Sequence, residues 1–274
     1  MNKKAFYKVL IHGFLIAMAV ITLTPFIWLL LSSFKSNLEI LAANQTLFPK
    51  EFIFSNYDKV NTQFNFMRYF VNSIIVVGTI TVMTSYTSAI AGFVLSKYNF
   101  MLKKLAFSIV MATMMLPWCV TIIPRYFIIK EIGWLNSYKA LILPAMFSGF
   151  GIFMMKQNME SLPNEFLEAA RIDGANEFFI FHRIVIPMSK NGVFAIAIFQ
   201  FLWAWEDYLW PYLVITSPEK QLIAVGLKLF NGQYQTDYGS MGAALVIATL
   251  PTLVLYMCMS GQVQKSLIAG AVKG

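Results

Sequence analysis

Residues Val9–Leu31 read VLIHGFLIAMAVITLTPFIWLLL, a run without one Asp, Glu, Lys or Arg. A helix needs about 20 apolar residues to cross the hydrocarbon core of a bilayer, and this run supplies them. Lys3, Lys4 and Lys8 precede it, and Ala17-Met18-Ala19 has the small-residue form of a secretory cleavage site. A signal core is only about 7–15 residues long, whereas here the apolar run continues unbroken past that site through Trp28. The reading is an uncleaved anchor helix in a membrane protein.

Five further runs support it: about Tyr69–Leu95, Leu105–Ile123, Ala140–Met155, Val193–Ile215 and Met241–Met259. Of the 274 residues, 58% are hydrophobic and 12% charged, against about 45–50% and about 25% in soluble domains. That charge content is too small to build a water-soluble surface, and it excludes disorder, a coiled coil and a disulfide scaffold. Cys119 and Cys258 lie inside apolar runs and suit buried small hydrophobes. The net charge of +8 is spread along the chain and reads as topological, with no nucleic-acid partner.

With the N-terminus inside, the cytoplasmic pieces are 1–8, 97–104, 156–190 and 261–274. They carry twelve of the 21 Lys and Arg, led by Lys3, Lys4 and Lys8 and by Lys97, Lys103 and Lys104. The excess of Lys and Arg in short loops places both termini in the cytoplasm. Outside lie two polar segments, about Ser32–Arg68 and Ser217–Gly239, and the only long inner loop is Lys156–Lys190.

No phosphate-cradling G-x-x-x-x-G-K-[ST] loop, H-E-x-x-H or G-x-S-x-G is present, so catalysis by this chain alone is not expected. Glu206 and Asp207 are the carboxylates well within a span, where each costs about 2.5–3.5 kcal/mol at the centre of an isolated helix. They must face a cavity, a partner chain or an interface. Gln200, Trp203, Asp207 and Trp210 follow helical spacing, with Glu206 beside them. Such a face suits a sugar pathway, with rings stacking on a pyranose while carboxylates and amides take its hydroxyls. It also suits an interfacial aromatic belt, with the carboxylates near the outer surface or paired with a neighbouring chain. Pro211 removes a backbone donor and frees a carbonyl near Asp207.

The inner loop Ser161–Lys190 reads SLPNEFLEAARIDGANEFFIFHRIVIPMSK. Pro163 and Asn164 start a helix, Glu165 and Glu168 suit its first turns, and Gly174 ends it with a left-handed residue. Asn176 caps a second short helix through Phe178, Phe179, Phe181 and Arg183 that ends before Pro187. Ala169 and Ala170 leave a flat patch where another backbone can approach. The phenylalanines either enter the membrane boundary or fill a partner's groove. An amphipathic interfacial helix pair without a partner is the competing reading.

Glu168-Ala169-Ala170, three residues, Gly174, nine residues, Ile184, one residue and Ile186-Pro187 resemble the EAA motif of permease subunits in binding-protein-dependent ABC importers. Ile186 stands where that pattern usually has Leu. EAARIDGA is similar to the carbohydrate-uptake branch, in particular its MalG-like subunits. So are Met115-Leu116-Pro117, Ile123-Pro124-Arg125-Tyr126, the Gly133–Asn136 turn, Gly151-Ile152-Phe153 and the final Ala269–Gly274.

The resemblance implies an all-α integral membrane protein of six transmembrane helices with the type I importer (MetI-like) fold. It implies an anchor helix and external loop at 1–68, a core permease domain at 69–262 and a tail at 263–274. The loop at about 161–190 would be the coupling helix docked on an ATPase subunit, with Glu168, Ala169, Ala170, Arg171, Asp173, Gly174 and Pro187 at that interface. The partners implied are a second related permease, two ATPase subunits that carry ATP and Mg, an extracytoplasmic solute-binding protein, a carbohydrate and the bilayer. This chain would bind no cofactor or metal of its own. Phe230, Asn231, Gly232, Gln233 and Tyr234 would form the turn that reaches the binding protein.

An ion-coupled secondary transporter would instead carry carboxylates in several spans and show matching halves. A glycerol phosphate cargo would favour a buried Arg or Lys in the pathway. No Arg or Lys lies in the core of a predicted span, which favours a neutral sugar.

Overall fold

The computed structural model describes residues 3–62, 65–230 and 236–271, and every regular element among them is helical. The first half contains α1 (Lys3–Ser32), α2 (Asn37–Ile40), α3 (Ser55–Thr62), α4 (Phe66–Lys97), α5 (Lys103–Met115) and α6 (Trp118–Glu131). Then follow α7 (Lys139–Ala145), α8 (Gly149–Glu160), α9 (Glu165–Ile172), α10 (Glu177–Ile180), a π-helical turn (Phe181–Val185) and α11 (Ile186–Met188). The chain continues through α12 (Lys190–Glu206), α13 (Leu209–Val214), α14 (Ile223–Gly226) and α15 (Tyr238–Ala271). Four described stretches are long and apolar enough to cross a membrane: Leu10–Ser32, Phe66–Lys97, Lys139–Glu160 and Tyr238–Cys258. Two bent pairs, α5 with α6 and Glu177–Met188 with α12, raise that to as many as six.

Met1–Met67 with Gly226–Leu250 form one compact unit, and Arg68–Val225 with Pro251–Gly274 form another. In the first, the apolar window of α1 is entirely unburied, a surface that only lipid or a partner chain can cover. Beyond α1, the buried Asn56 donates through Nδ2 to the carbonyls of Ser33 and Lys35, each at 2.9 Å. Gly239 fits against this pair because a β-carbon there would lie 2.7 Å from Asn56 Nδ2 and 2.8 Å from the Lys35 carbonyl.

The second unit has two apolar clusters. One joins Val76 and Ile80 of α4 to Ile129, Leu141, Trp210 and Val214. The other joins Ala89 and Phe93 of α4 to Met155, Met159, Leu167, Ile180, Phe181 and Ile196. Within the second cluster α4 crosses α8 almost backbone to backbone. A β-carbon on Gly92 would lie 2.5 Å from Met155 Cβ and 2.9 Å from the Lys156 nitrogen. Gly92→Ala is therefore expected to force α4 off α8 and cost about 1–3 kcal/mol, read as a lower unfolding temperature in mild detergent.

The turn before α7 is pinned by Asn136, whose φ of 56° is left-handed. Its Oδ1 accepts from the Ser217 nitrogen at 3.0 Å, its Nδ2 donates to Ser217 Oγ at 2.7 Å, and its carbonyl accepts from Lys220 Nζ at 2.8 Å. Asn136→Ala is expected to lose about 1–3 kcal/mol, seen as earlier proteolysis of the 216–221 loop.

Several expectations change. The third span, expected as one run over Leu105–Ile123, breaks at Leu116-Pro117 and turns by 104°. Leu116 is extended, with ψ of 119°, as sterics require of a residue before proline. The fifth span, expected over Val193–Ile215, ends as a helix at Glu206, and Asp207 is extended with ψ of 111°. The ring of Pro211 would clash with the Asp207 carbonyl one turn back in a continuous helix, so the chain breaks there and restarts as α13. The second helix of the inner loop does not stop before Pro187. It passes through the π-helical turn into α11, whose wider turn carries the carbonyl away from the proline ring. Cys119 and Cys258 are free and exposed rather than buried.

Candidate functional site

Two regions of the second unit carry chemistry, and α4 reaches both. The first is a cavity of about 650 Å³ lined by α4, α6, α7, the α7–α8 link, α12 and α13, within the range of small-molecule sites. All five residues singled out in the fifth span line it: Gln200, Trp203, Glu206, Asp207 and Trp210. Gln200, Trp203 and Glu206 come from the last turns of α12, Asp207 is the break itself, and Trp210 belongs to α13, so no single continuous helix face carries all five.

Asp207 marks the break and also starts α13, since its Oδ1 accepts from the Trp210 nitrogen at 3.3 Å. Trp210 is buried, and its Nε1 donates to the Ala140 carbonyl at 3.0 Å. The Arg125 guanidinium lies over the Trp210 ring, 4.3 Å from its centroid, a cation–π contact that holds the cation in the cavity wall. Trp210 is thus a support for Arg125, with its donor already used. Trp203 is half-exposed and packs against Phe150 and Phe199 at 5.3 and 5.9 Å between ring centroids. The exposed part of its ring can pack on a ligand, while Gln200, Glu206 and Asp207 supply hydrogen-bonding groups in the same cavity.

Arg125 is a charged lining residue of the cavity that sequence reasoning left out of the candidate site. It lies just past the expected end of the third span, and after the bend at Pro117 it lines the same cavity as Asp207. No Arg or Lys lies in the core of an expected span, but Arg125, two residues past the third, lines the cavity. Trp118, at the first turn of α6, joins the wall as well. No group of three or more His, Cys, Asp or Glu among the described residues is placed to hold a metal ion.

The second region is the inner loop. Helix α9 buries Leu167 and leaves Glu168, Ala169, Arg171, Asp173 and Gly174 exposed, with Pro187 exposed further on. Ala170 is half-buried against the apolar cluster rather than part of a flat exposed patch. Gly174 ends the helix at φ of 81°, a conformation only glycine adopts freely. Asn176 caps α10 as expected, its Oδ1 accepting from the Phe179 nitrogen at 2.8 Å. Asn164 does not cap α9 through its side chain, because its Oδ1 accepts instead from Lys97 Nζ at 2.9 Å. Phe181 is buried, while Phe178 and Phe179 remain exposed, as do Ile172 and Phe166.

Arg171 donates to Glu177 through Nε at 2.8 Å. That hydrogen bond raises the guanidinium pKa further above its ordinary value. The Tyr98 hydroxyl also donates to Glu177, and its pKa is raised, first by burial and then by that carboxylate. Tyr98 therefore stays a donor at physiological pH. His182 Nδ1 meets the Phe178 carbonyl at 2.8 Å and its Nε2 meets Tyr86 Oη at 3.1 Å. A carbonyl can only accept, so Nδ1 carries a proton, and in the neutral ring Nε2 accepts from Tyr86.

Phe230, expected in the turn toward a binding protein, is buried against Phe66 at 5.8 Å between ring centroids. It packs inside its unit and is unavailable for contact. Asn231, Gly232, Gln233 and Tyr234 lie outside the described residues.

Comparison with known proteins agrees with this geometry. The diacetylchitobiose uptake system permease protein NgcG of Streptomyces coelicolor is 33% identical over 96% of this chain and 88% of its own. The sn-glycerol-3-phosphate transport system permease protein UgpE of Escherichia coli is 30% identical over 95% of this chain and 94% of its own. A chain from the crystal structure of a bacterial ABC transporter that imports the acidic polysaccharide alginate superposes with a TM-score of 0.84 at 22% identity. The match covers 95% of this chain and 98% of that one, a likeness of fold. The family model described as the inner membrane component of binding-protein-dependent transport systems matches residues 85–267. With the EAA loop exposed on the second unit and several apolar helices available to span a membrane, the chain belongs to that family of multi-pass transport permeases.

Proposed function

We propose that this chain moves a neutral saccharide across the membrane through the Arg125–Asp207 cavity, driven by ATP hydrolysed on separate subunits docked at the inner loop. The observation that carries this reading is the assembly of Gln200, Trp203, Glu206 and Asp207 around one cavity of about 650 Å³. Stacking rings with carboxylate and amide groups suit a hydroxyl-rich ring that offers one apolar face. The diacetylchitobiose permease among the relatives supports a saccharide cargo.

The glycerol phosphate relative favours a second reading, and Arg125 is the group that would serve it. Glu206 and Asp207 line the same cavity as Arg125, however, so the lining bears more negative than positive charge. A phosphate entering it meets net repulsion.

On this reading Glu168, Ala169, Arg171, Asp173, Gly174 and Pro187 contact an ATPase subunit, and Ala170 backs that surface. ATP and Mg belong to that partner, and this chain supplies no cofactor site. A second related permease completes the complex. The division into 1–68, 69–262 and 263–274 and the cytoplasmic placement of both termini go with this reading, the termini resting on the Lys and Arg count of the loops.

The test is gentle detergent extraction of the assembled complex, identification of co-purifying subunits, and ATPase assays. Candidate binding proteins would be loaded from a panel of neutral saccharides, uronates and glycerol 3-phosphate. Recovery of an ATPase and a second permease, with stimulation by a neutral saccharide, is the expected result. Recovery of this chain alone would defeat the importer mechanism. Stimulation by glycerol 3-phosphate only would defeat the cargo assignment.

A further inference from the structure

We propose that α4 is the rigid rod that carries motion from the inner loop to the cavity, and that Lys97 and Tyr98 are positioning residues clasping the loop to it. The proposal rests on the reading that the inner loop docks an ATPase.

The clasp holds both ends of α9. At its N-terminal end, Lys97 Nζ donates to the Leu162 carbonyl at 2.5 Å and to Asn164 Oδ1 at 2.9 Å. Beyond its C-terminal end, the Tyr98 hydroxyl donates to Glu177, which also takes the Arg171 guanidinium at 2.8 Å. The exposed docking residues of α9 thus lie between two attachments to the same helix terminus.

The attachment continues along α4. Phe93 packs on Phe181 at 5.5 Å between ring centroids, and Tyr86 hydrogen-bonds His182 at 3.1 Å. Tyr86, Phe93 and Lys97 are seven and four residues apart, so they share one face of the helix. A push on the loop is therefore received along about three turns rather than at one side chain.

The opposite stretch of α4 forms part of the cavity. Val76 and Ile80 line it, and Thr84 Oγ1 donates at 2.8 Å to the carbonyl of Ala145, another lining residue. Thr87 Oγ1 likewise donates to the Met146 carbonyl. Ile80 and Lys97 are separated by about 25 Å at 1.5 Å per residue. Between them α4 has no proline, whereas the other two helices of comparable length contain Pro25 and Pro251. Because α4 runs through this stretch as one unbroken α-helix, held at Gly92 against α8, displacement at Lys97 is carried toward the cavity wall.

The test uses the assembled complex in nanodiscs, with spin labels on Ile75→Cys and on native Cys119 in a Cys258→Ser background. Distances would be compared without nucleotide and after trapping with ATP and vanadate. The expected result is a distance change in the otherwise unaltered chain, its loss in the Lys97→Met/Tyr98→Phe double variant, and its return in Lys97→Arg with Tyr98 intact. ATPase subunits should co-purify with the double variant in the usual ratio. A distance change of full size in the double variant would overturn the proposal. Loss of the ATPase subunits from it would also do so, by showing that the pair only holds the docking surface. Failure of the unaltered chain to recruit any ATPase would defeat the docking reading itself, and the clasp with it.

Discussion

Glu168→Lys is expected to abolish ATP-driven uptake while leaving the chain in the membrane at normal amount. Glu168 sits in the first turn of α9, exposed and without a described ion pair to a neighbour in the chain. Its reversal therefore leaves the apolar cluster beneath Leu167 untouched. It does place a cation near the positive end of the helix dipole and on the proposed docking face. Reversing one charge in a charged contact weakens association by at least about tenfold. The measurement is paired, comparing the amount of co-purifying ATPase and the uptake rate with those of the parent chain. Uptake at the parent rate would return the loop to a surface helix pair. Gly174→Val is a second probe of the same surface, because its strain at φ of 81° falls on the backbone that ends α9.

Asp207→Asn is expected to raise the cargo concentration needed for half-maximal transport by about 10–100-fold, the value of one hydrogen bond to a charged group. Asparagine keeps an oxygen at the position that accepts from the Trp210 nitrogen, so the start of α13 survives and only the charge is lost. The same change removes one of the two carboxylates that line the cavity with Arg125 and should make the cavity more tolerant of anionic cargo. Trp203→Ala should weaken the same step by removing the half-exposed ring. Unchanged affinity and turnover in both variants would assign these residues to packing and the outer belt.

Much of this was legible in the chain because its signals are local. Four of the six apolar runs, the glycine after α9 and the Asn176 cap appear in the structure where the sequence places them. The EAA spacing identified the exposed loop. Where expectations failed, proline geometry competed with hydropathy. A window that counts apolar residues passes straight through Leu116-Pro117 and Asp207–Pro211, since hydropathy does not register a missing donor or a ring clash. Both breaks were foreshadowed by prolines, but their angles depend on what the restarted helices pack against.

Phe230 and Arg125 show the same limit from the other side. An aromatic residue in a polar loop reads as a contact residue until Phe66 is seen covering it. An arginine at the edge of an apolar run reads as a surface cation until it is seen over the Trp210 ring.

Sequence by itself determined the membrane class, the helical content and the positions of α9 and its glycine stop, because each follows from composition or from short-range backbone preference, and the EAA motif carried the resemblance to the family. Only the tertiary structure decided that Arg125 joins Glu206 and Asp207 in one cavity, that Trp210 faces inward with its donor satisfied, and that Lys97 and Tyr98 hold the loop. Those arrangements depend on contacts between residues tens of positions apart, set by how broken helices pack, and no local preference specifies them.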